Sequence, residues 1–297
     1  MMDGFINVLK PPGMSSGTVV AIVKRLTREK VGHGGTLDPE ACGILPVMVG
    51  RATRLFDYMV EKEKTYLTEI AFGTATDTQD AQGKAIERGS RFPDAAAVQD
   101  ILPRFTGDIQ QVPPMYSALK MGGETLYKMA LKGKTAEIPA RPIHVERIDW
   151  LSETPRHGML LRIMCGRGTY IRTLCHDIGR AAGCPAHMRF LLREQTGPFT
   201  LDTAVTIEEL KAAAQTGTLT KYLLPLDIGL GHLPRYDVPL RLEKLCRNGV
   251  RLRPDEWPAP LGGAPVRLYA QGALIGISQA DEEGALVPRL VLPKQEG

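Results

Sequence analysis

Apolar residues along this chain repeat with two periods, one typical of strands and one typical of helices. An apolar run near the start, "GFINVLK", ends at a Pro-Pro-Gly turn and predicts a short strand. Alternating apolar and polar residues in "KTYLTEIAFG" predict a half-buried strand. Between these strands, Ser15 or Ser16 is placed to cap a helix. The next apolar residues follow the spacing of one helical face: Val19, Ile22, Val23 and Leu26.

The same reasoning predicts more helices and strands downstream. Residues 51–62 have a helical pattern, and apolar residues return at helical spacing over 98–105. A strand, a Gly-x-Gly turn and a helix that ends at Gly183 follow. Thr206 and Glu209 have the spacing of a capping box at the start of another helix. Strands and helices therefore mix throughout the chain.

The pattern also divides the chain into parts. Residues 113–142 have prolines near both ends and a Gly pair inside, so we expect an insertion that projects from the core. A Gly- and Pro-rich joint predicts a boundary between a domain of residues 1–231 and a smaller one of residues 232–297. Three short β-like runs predict that the smaller domain is a compact barrel. Basic residues are concentrated in the insertion (Lys120, Lys128, Lys132, Lys134) and early in the smaller domain (Arg235, Arg241, Lys244, Arg247, Arg251, Arg253).

Composition adds limits rather than a function. The 297 residues are 43% hydrophobic and 24% charged, which excludes the disordered and membrane classes. A net charge of +4 is too mild to identify a polyanionic partner by itself. Five cysteines without a CxxC pair favour reduced thiols, and neither a signal peptide nor a membrane span is visible. We therefore expect a soluble protein of the cytoplasm.

Several common catalytic motifs are missing. The stretch "LKGKTAE" fails as a phosphate-binding loop because Lys128 stands where the pattern needs glycine. There is no GxSxG motif, and the loop that contains His33 offers at most two metal ligands, as do Cys184 and His187. We therefore expect no metal site. The group Cys175, His176 and Asp177 lies on a predicted helix and is assigned no function.

One loop, "HGGTLDPEACGILPVMVG", places Asp38 between a Gly pair and Pro39, ahead of a long uncharged run. Asp38 can be a turn residue that bonds its own downstream backbone N–H groups, with φ fixed by Pro39. Alternatively, Gly34 and Gly35 let the backbone approach a ligand closely, and the carboxylate beside the uncharged run is partly desolvated. The uncharged surroundings favour the second interpretation, although the turn stays open.

A reactive carboxylate at position 38 needs a cation nearby, because burial alone raises the pKa of an aspartate and neutralises it. Arg172, in "GRGTYIRTL", lies just past a Gly-rich strand end, where its guanidinium could form a bidentate pair with Asp38. The alternative for Arg172 is an ordinary surface salt bridge. The sequence therefore predicts, but does not require, a charged pair between two distant loops.

Together these stretches resemble the bacterial TruB family of tRNA pseudouridine-55 synthases. The loop around Asp38 resembles the family signature around its catalytic aspartate, and the tail from about Leu233 resembles a PUA module, a small RNA-binding pseudo-barrel. The resemblance implies an α+β fold with a mixed, largely antiparallel sheet flanked by helices, plus a small C-terminal β pseudo-barrel. Over roughly residues 5–230 the other blocks that resemble the family, in order, are "NVLKPPGMSS", "KTYLTEIAFGTATDTQDAQGK", "VPPMYSALKMGGETLYKMALKG", "GRGTYIRTLCHDIG" and "CPAHMRFLLREQTGPF".

The resemblance also implies roles for individual residues. Asp38 would be the catalytic aspartate, attacking C1′ of the ribose or C6 of the base, or acting along a glycal route; these routes stay open. Tyr66 would stack on the target base and help to remove the C5 proton, and Arg172 would pair with the catalytic carboxylate. The residues implied for substrate binding are Lys10 beside the pocket, His33 in space left by flipped bases, Tyr170 two places before the arginine, and Leu191 against the base.

The implied reaction isomerises one uridine, position 55 in the T loop of tRNA, to pseudouridine without a cofactor or metal. A uridine in folded RNA must leave its stack first, and stacking on an aromatic ring offsets that cost. Phosphate contacts would come from the insertion and the basic stretch after Arg235. No protein partner is expected, and a secondary role in tRNA folding is compatible with the same surfaces.

Two other classes of function compete with this hypothesis. In a non-catalytic RNA binder or tRNA-folding chaperone, Asp38 would be merely a turn residue. A glycosidase would also use a carboxylate at an anomeric carbon, but most glycosidases pair two acids about 5 to 9.5 Å apart. Glu40, in the same turn, is expected to point to solvent, so the glycosidase ranks last.

Overall fold

The computed structural model describes residues 2–59, 63–257 and 263–294. Six α-helices are formed by Ser16–Thr27 (α1), Ala95–Ile101 (α2), Leu126–Leu131 (α3), Ile171–Ala181 (α4), Ile207–Gln215 (α5) and Leu240–Arg247 (α6) among these residues. Short 3-10 helices cover Gly50–Tyr58, Leu102–Phe105, Leu201–Thr203 and Leu219–Tyr222. The strands are Gly4–Lys10 (β1), Val31–His33 (β2), Cys42–Val49 (β3), Lys64–Phe72 (β4), Thr74–Thr76 (β5), Ala85–Arg88 (β6), Gly107–Gln111 (β7), Lys120–Met121 (β8), Glu124–Thr125 (β9), Arg141–Thr154 (β10), Gly158–Cys165 (β11), Ala186–Thr196 (β12), Phe199–Thr200 (β13), Arg235–Asp237 (β14), Pro265–Ala270 (β15), Ala273–Ala280 (β16) and Leu286–Val291 (β17).

A nine-stranded sheet forms the centre of the molecule. Its strand order is β1-β3-β12-β4-β11-β10-β7, with β2 paired to β3 and β13 paired to β12. Strands β3 and β12 are parallel to each other, whereas the other pairs of this sheet are antiparallel. The predicted α+β fold with a mixed, largely antiparallel sheet is therefore confirmed.

Local signals in the sequence locate several helix ends. Ser15 is the N-cap of α1 and accepts a hydrogen bond from the Thr18 amide at 3.0 Å, as one of the two predicted caps. The predicted capping box of Thr206 and Glu209 is present at the start of α5. The helical pattern of residues 51–62 forms a 3-10 helix as far as Tyr58, and residues 60–62 lie outside the described residues.

Helices cover both faces of the sheet, each by burying one apolar stripe. On one face, α2 and α4 pack against β4, β11 and β12, with Val98 and Ile178 fully buried. On the other face, α1 and α5 pack against β1 and β3, with Val19 and Leu210 fully buried. Burial of such apolar surface is the main favourable contribution to folding. The two clusters hold the central strands rigidly, and the candidate site is built on those strands.

The C-terminal residues form a second, four-stranded sheet in the order β14-β15-β16-β17, and the predicted β-like runs correspond to β15, β16 and β17. This sheet packs against the first sheet. Its Tyr269 and Ile277 share one buried cluster with Phe5 and Met48 of the first sheet. The predicted boundary at residue 232 falls before β14, and the likeness to a PUA module stays a prediction. None of the helices in the described ranges has the length and apolar character needed to cross a bilayer.

Candidate active site

The stretch of residues 33–50 that the sequence indicated as a loop is only partly a loop, because Cys42–Val49 forms β3 of the central sheet. The part that contains Asp38 connects β2 to β3 and is fixed by its own backbone. The Ala41 amide donates to the Asp38 carbonyl at 3.1 Å, which closes a turn. The first residue of α1 anchors the same loop, since the Ser16 hydroxyl donates to the Leu37 carbonyl at 3.0 Å and accepts from the Leu37 amide at 2.9 Å. The turn is therefore made by main-chain atoms, and the Asp38 carboxylate is left available for other contacts.

Lys10 holds this loop through hydrogen bonds to backbone carbonyls. Its ammonium is completely buried and donates to the carbonyls of Pro11 at 2.8 Å, Pro39 at 2.8 Å and Ala41 at 2.6 Å. An ammonium has three N–H donors, so these three bonds use all of them. Burial lowers the pKa of Lys10, and this effect is opposed by nearby acidic groups. Lys10 therefore lies under the loop, whereas the resemblance placed it beside the pocket as a residue that binds substrate.

Arg172 reaches Asp38 from the first turn of α4. Its Nε lies 2.9 Å from Asp38 Oδ2, and its Nη2 lies 3.4 Å from Asp38 Oδ1. The guanidinium also donates to the Thr78 carbonyl at 3.0 Å and to the Tyr116 carbonyl at 2.9 Å. These carbonyls come from two other loops and fix the orientation of the fork. The guanidinium is buried, whereas 39% of the Asp38 side chain is exposed.

The electrostatics of Asp38 result from opposing effects. Burial raises the pKa of Asp38, and the charge of Arg172 opposes that rise. Asp80, whose Oδ2 lies 3.8 Å from Arg172 Nη1, raises the pKa of Asp38 further. Sequence reasoning missed Asp80, because an acid in a polar turn is ordinary. The structure joins it to the pair through the same guanidinium.

Asp38 opens into a cleft of about 930 Å³. Tyr66 on β4 and Leu191 on β12 lie on neighbouring central strands and are 7% exposed each. Six of the seven residues that the sequence proposed for the site line this cleft, and Lys10 is the exception. The six are Asp38, Tyr66, Arg172, His33, Tyr170 and Leu191.

Two of these residues are held by specific contacts. The buried Gln111 side chain accepts from the Tyr170 amide at 2.9 Å and donates to the Tyr170 carbonyl at 3.1 Å, which fixes the backbone at the start of α4. His33 Nδ1 accepts from the Gly35 amide at 3.4 Å. Burial and the charge of Arg193 lower the pKa of His33, so its imidazole is neutral near pH 7. Gln111 had no signal in the sequence pattern.

The insertion forms one wall of the cleft. Tyr116, Ser117 and Tyr127 line it, so this part of the predicted insertion borders the site and does not only project from the core. Ser117 is 5% exposed, and its hydroxyl has no hydrogen-bond partner among the described residues. Buried polar groups are normally bonded, so this hydroxyl lacks the partner that such groups usually have. The four lysines of the insertion are exposed: Lys120, Lys128, Lys132 and Lys134.

The basic stretch of the C-terminal region is less available than the sequence indicated. Four of its six basic residues form ion pairs within the region: Arg235 with Asp237, Arg247 with Glu243, Arg251 with Asp281 and Glu283, and Arg253 with Asp255 and Glu256. In the described ranges, no ion pair is found for Arg241 or Lys244, which are both exposed. In the insertion, Lys132 pairs with Glu124, and in the part of the chain that the structure describes no ion pair is found for Lys120, Lys128 or Lys134. Unpaired basic side chains are therefore more numerous on the insertion.

The remaining candidate groups of the sequence lie elsewhere. The described residues contain no group of three or more histidine, cysteine, aspartate or glutamate side chains that could hold a metal ion. Cys175 is fully buried, and burial raises the pKa of its thiol to about 12. Such a thiol is unreactive near pH 7. Glu40 is the exception, because it is exposed to solvent, as the sequence predicted, and also lines the cleft.

Comparison with known proteins agrees with this architecture. Residues 23–171 match the N-terminal domain of TruB family pseudouridylate synthases, and residues 172–231 match the C-terminal domain of tRNA pseudouridylate synthase B. Proteins named tRNA pseudouridine synthase B are 38% identical in Bacillus subtilis, over 98% of both chains, and 42% identical in Bacillus licheniformis, over 85% of this chain and 84% of that one.

Solved structures show the same similarity in three dimensions. The crystal structure of a Cbf5-Nop10-Gar1 complex contains a chain with a TM-score of 0.75 and 27% identity, over 98% of this chain and 85% of that chain. A structure of an H/ACA RNP bound to a substrate RNA gives a TM-score of 0.73 and 26% identity, over 98% of this chain and 85% of that chain. The family-model match and the similarity to curated relatives lead to the same conclusion. This chain belongs to the TruB family of pseudouridylate synthases.

Proposed function

We propose that this protein converts a uridine of tRNA, at position 55 in the T loop, to pseudouridine, with Asp38 as the catalytic carboxylate. The observation that carries the proposal is the pair between Asp38 and the buried Arg172, which lies at a cleft large enough for a nucleotide. Family membership supports the reaction, and the name of the relatives, tRNA pseudouridine synthase B, supports tRNA as the substrate.

The reaction needs no atoms from outside the RNA except protons. The bond between N1 and C1′ breaks, the uracil rotates, and a bond between C5 and C1′ forms. The C5 proton leaves and N1 gains a proton, so the product is an isomer. A carboxylate suits the intermediate stage either as a nucleophile or as a counter-charge to an electron-poor sugar. Arg172 keeps that carboxylate ionised against the desolvation caused by burial.

Other residues of the cleft match the requirements of a flipped base. Tyr66 and Leu191 offer an apolar surface to one nucleobase, and unstacking costs a few kcal/mol that such contacts offset. The neutral His33 lies at the same cleft and is available to fill the space that flipping leaves in the RNA loop. The exposed lysines of the insertion supply phosphate contacts, which makes binding sensitive to salt.

The rival functions have less support from the site. A non-catalytic RNA binder would not need a buried arginine directed at a partly desolvated aspartate. Perturbed carboxylates in clefts are typical of functional sites. A glycosidase that uses the same turn would need Glu40 as a second acid across the sugar, but Glu40 comes from the same turn as Asp38, two positions along the chain.

The test is an assay on an unmodified T-arm stem-loop labelled with tritium at C5 of its uridines. The wild-type protein is expected to release tritium and to leave pseudouridine at one mapped position. An anticodon stem-loop serves as the control for position, and it should release no tritium. Release from the anticodon loop alone would overturn the T-loop assignment. Absence of release from either RNA or from full-length tRNA would overturn the proposed reaction.

A further inference from the structure

Arg193 is the largest fully buried side chain of the molecule, in the described residues, and none of the roles above uses it. It lies on β12 and is 1% exposed. No ion pair with a carboxylate is found for it within the described ranges. A buried, unpaired cation is costly unless its environment makes use of it. Its contacts therefore indicate what the charge and the donors do.

The guanidinium binds the loop of Asp38 through main-chain oxygens. Its Nε donates to the Ile44 carbonyl at 2.7 Å, and its Nη2 donates to the Gly35 carbonyl at 3.1 Å. Its Nη1 donates to the Thr36 carbonyl at 3.5 Å. Gly35 and Thr36 precede Asp38, and Ile44 lies on the strand that follows the loop. One planar group thus holds both ends of the loop, which suits its rigid fork of donors.

The same side chain meets Tyr66 on the next strand. Arg193 and Tyr66 are directly opposed in the register of β12 and β4, so their side chains project from the same face of the sheet. The charge of the guanidinium lowers the pKa of Tyr66 against the rise that burial causes. Both residues line the cleft.

We propose that Arg193 is a positioning residue that fixes the Tyr66 hydroxyl and the loop of Asp38 relative to each other. This inference rests on the proposed function, since it assigns Arg193 to the same reaction. The two groups that act on the base come from different parts of the chain, the loop between β2 and β3 and the middle of β4. Lys10 and Ser16 tie the loop to β1 and α1, whereas Arg193 ties it to β12, the strand beside Tyr66. Reaction rates are sensitive to shifts of fractions of an ångström between such groups.

The experiment compares Arg193→Met with Tyr66→Phe and the double variant in single-turnover reactions on the T-arm stem-loop. Arg193→Met is expected to slow the reaction by about 30-fold or more, while the Kd for RNA changes by less than about 3-fold. In the Tyr66→Phe background the same change is expected to cost much less, because one of the groups that Arg193 positions is already missing. Equal fold losses in both backgrounds would show a merely structural role and overturn the inference.

Two controls complete the cycle. Arg162→Met removes another arginine of the same sheet, one that pairs with Glu194 outside the cleft, and its effect should be equal in both Tyr66 backgrounds. Arg193→Lys keeps the charge but cannot span the same acceptors. If Arg193→Met does not fold, Arg193→Lys replaces it in the comparison of the two Tyr66 backgrounds. Its loss of rate is expected to shrink in the Tyr66→Phe background, and an equal loss in both backgrounds overturns the inference.

Amide hydrogen exchange gives a measure that does not depend on activity. Arg193→Met should speed the exchange of amides in residues 34–42, because the carbonyls on both sides of Asp38 lose their common donor. Unchanged exchange there overturns the inference even when the wild-type protein proves inactive on the stem-loop. An inactive wild-type protein would overturn only the proposed function, so the two failures are distinguishable.

Discussion

Two aspartate–arginine pairs in this molecule have almost the same distance from Nε to Oδ2 and differ in what surrounds them. At the junction with the C-terminal sheet, Arg51 Nε lies 2.8 Å from Asp3 Oδ2. In the cleft, Arg172 Nε lies 2.9 Å from Asp38 Oδ2. The Asp3 side chain is 2% exposed, whereas the Asp38 side chain is 39% exposed. Pair geometry alone therefore does not identify a reactive carboxylate.

The difference lies in how completely the protein encloses each carboxylate. Asp3 Oδ1 accepts from the Arg51 amide at 2.6 Å, and Arg51 Nη1 donates to the Pro293 carbonyl at 2.8 Å. The pair therefore joins three segments of the chain. Asp38 has a long second contact at 3.4 Å and faces a cleft. A saturated carboxylate stabilises the fold, and an unsaturated one is available for chemistry.

The largest expected effect separates the two aspartates. Asp38→Asn should lower turnover on the T-arm stem-loop by at least about 1,000-fold, since it removes the ionised carboxylate, while RNA binding is largely kept. Asp3→Asn should leave turnover nearly unchanged and lower the free energy of unfolding by about 2 to 4 kcal/mol, because it breaks a mostly buried pair. Turnover and urea denaturation of both variants measure the contrast. Normal turnover by Asp38→Asn would overturn the catalytic role of Asp38.

Arg172 provides the next test, since its charge opposes the raised pKa of Asp38. Arg172→Lys loses the bidentate fork, and turnover is expected to fall by about 100-fold. Arg172→Gln also removes the charge, so the pKa of Asp38 rises further and the acidic limb of the pH–rate profile moves to higher pH. Single-turnover rates from acidic to neutral pH measure the shift. Arg180→Gln, on the exposed side of the same helix, is the control. If the acidic limb of Arg172→Gln coincides with that of the wild-type protein, the pairing is refuted.

A third test concerns the closed packing beneath the cleft. Gly43 has φ +108°, and a Cβ there would lie 2.3 Å from the Arg193 carbonyl oxygen. Gly43→Ala is therefore expected to cost about 2 to 4 kcal/mol of unfolding free energy. Gly34→Ala is the control, since a Cβ there would meet only ordinary contacts at 3.7 Å. Urea denaturation measures both variants, and equal stabilities would show that the strands can separate at Gly43 without cost.

The smallest expected effect concerns Ser117, whose hydroxyl is unsaturated like the Asp38 carboxylate. Ser117→Ala should leave stability unchanged, because no hydrogen bond inside the protein is lost. RNA affinity should fall by about 2- to 10-fold, as expected for one hydrogen bond to a ligand. Equilibrium binding of the stem-loop measures the change, with Ser152→Ala on β10 as the control. An unchanged Kd would mean that RNA does not use this hydroxyl.

The sequence predicted four of the six α-helices and six of the seventeen strands in the described residues, because periodicity and capping are local properties. It did not predict the central strands β3, β10 and β12. Ser15 and the pair of Thr206 and Glu209 are examples, each acting within one turn of a helix. The predicted partnership of Asp38 and Arg172 is found in the structure, although the two residues lie 134 positions apart. Asp80 and Gln111 were not predicted, since their roles depend on contacts between distant loops. For Arg193 a weak signal existed, a charged residue in phase with the buried Leu191 along β12.

What the sequence alone determined is the family, part of the order of strands and helices, and the chemical character of the loop around Asp38. Only the tertiary structure decided which polar groups are saturated. Lys10 and Arg193 use their donors on backbone carbonyls, whereas Asp38 keeps access to the cleft. Hydrogen bonding and burial are properties of the packed molecule, because each depends on atoms that come together only when the sheet has formed.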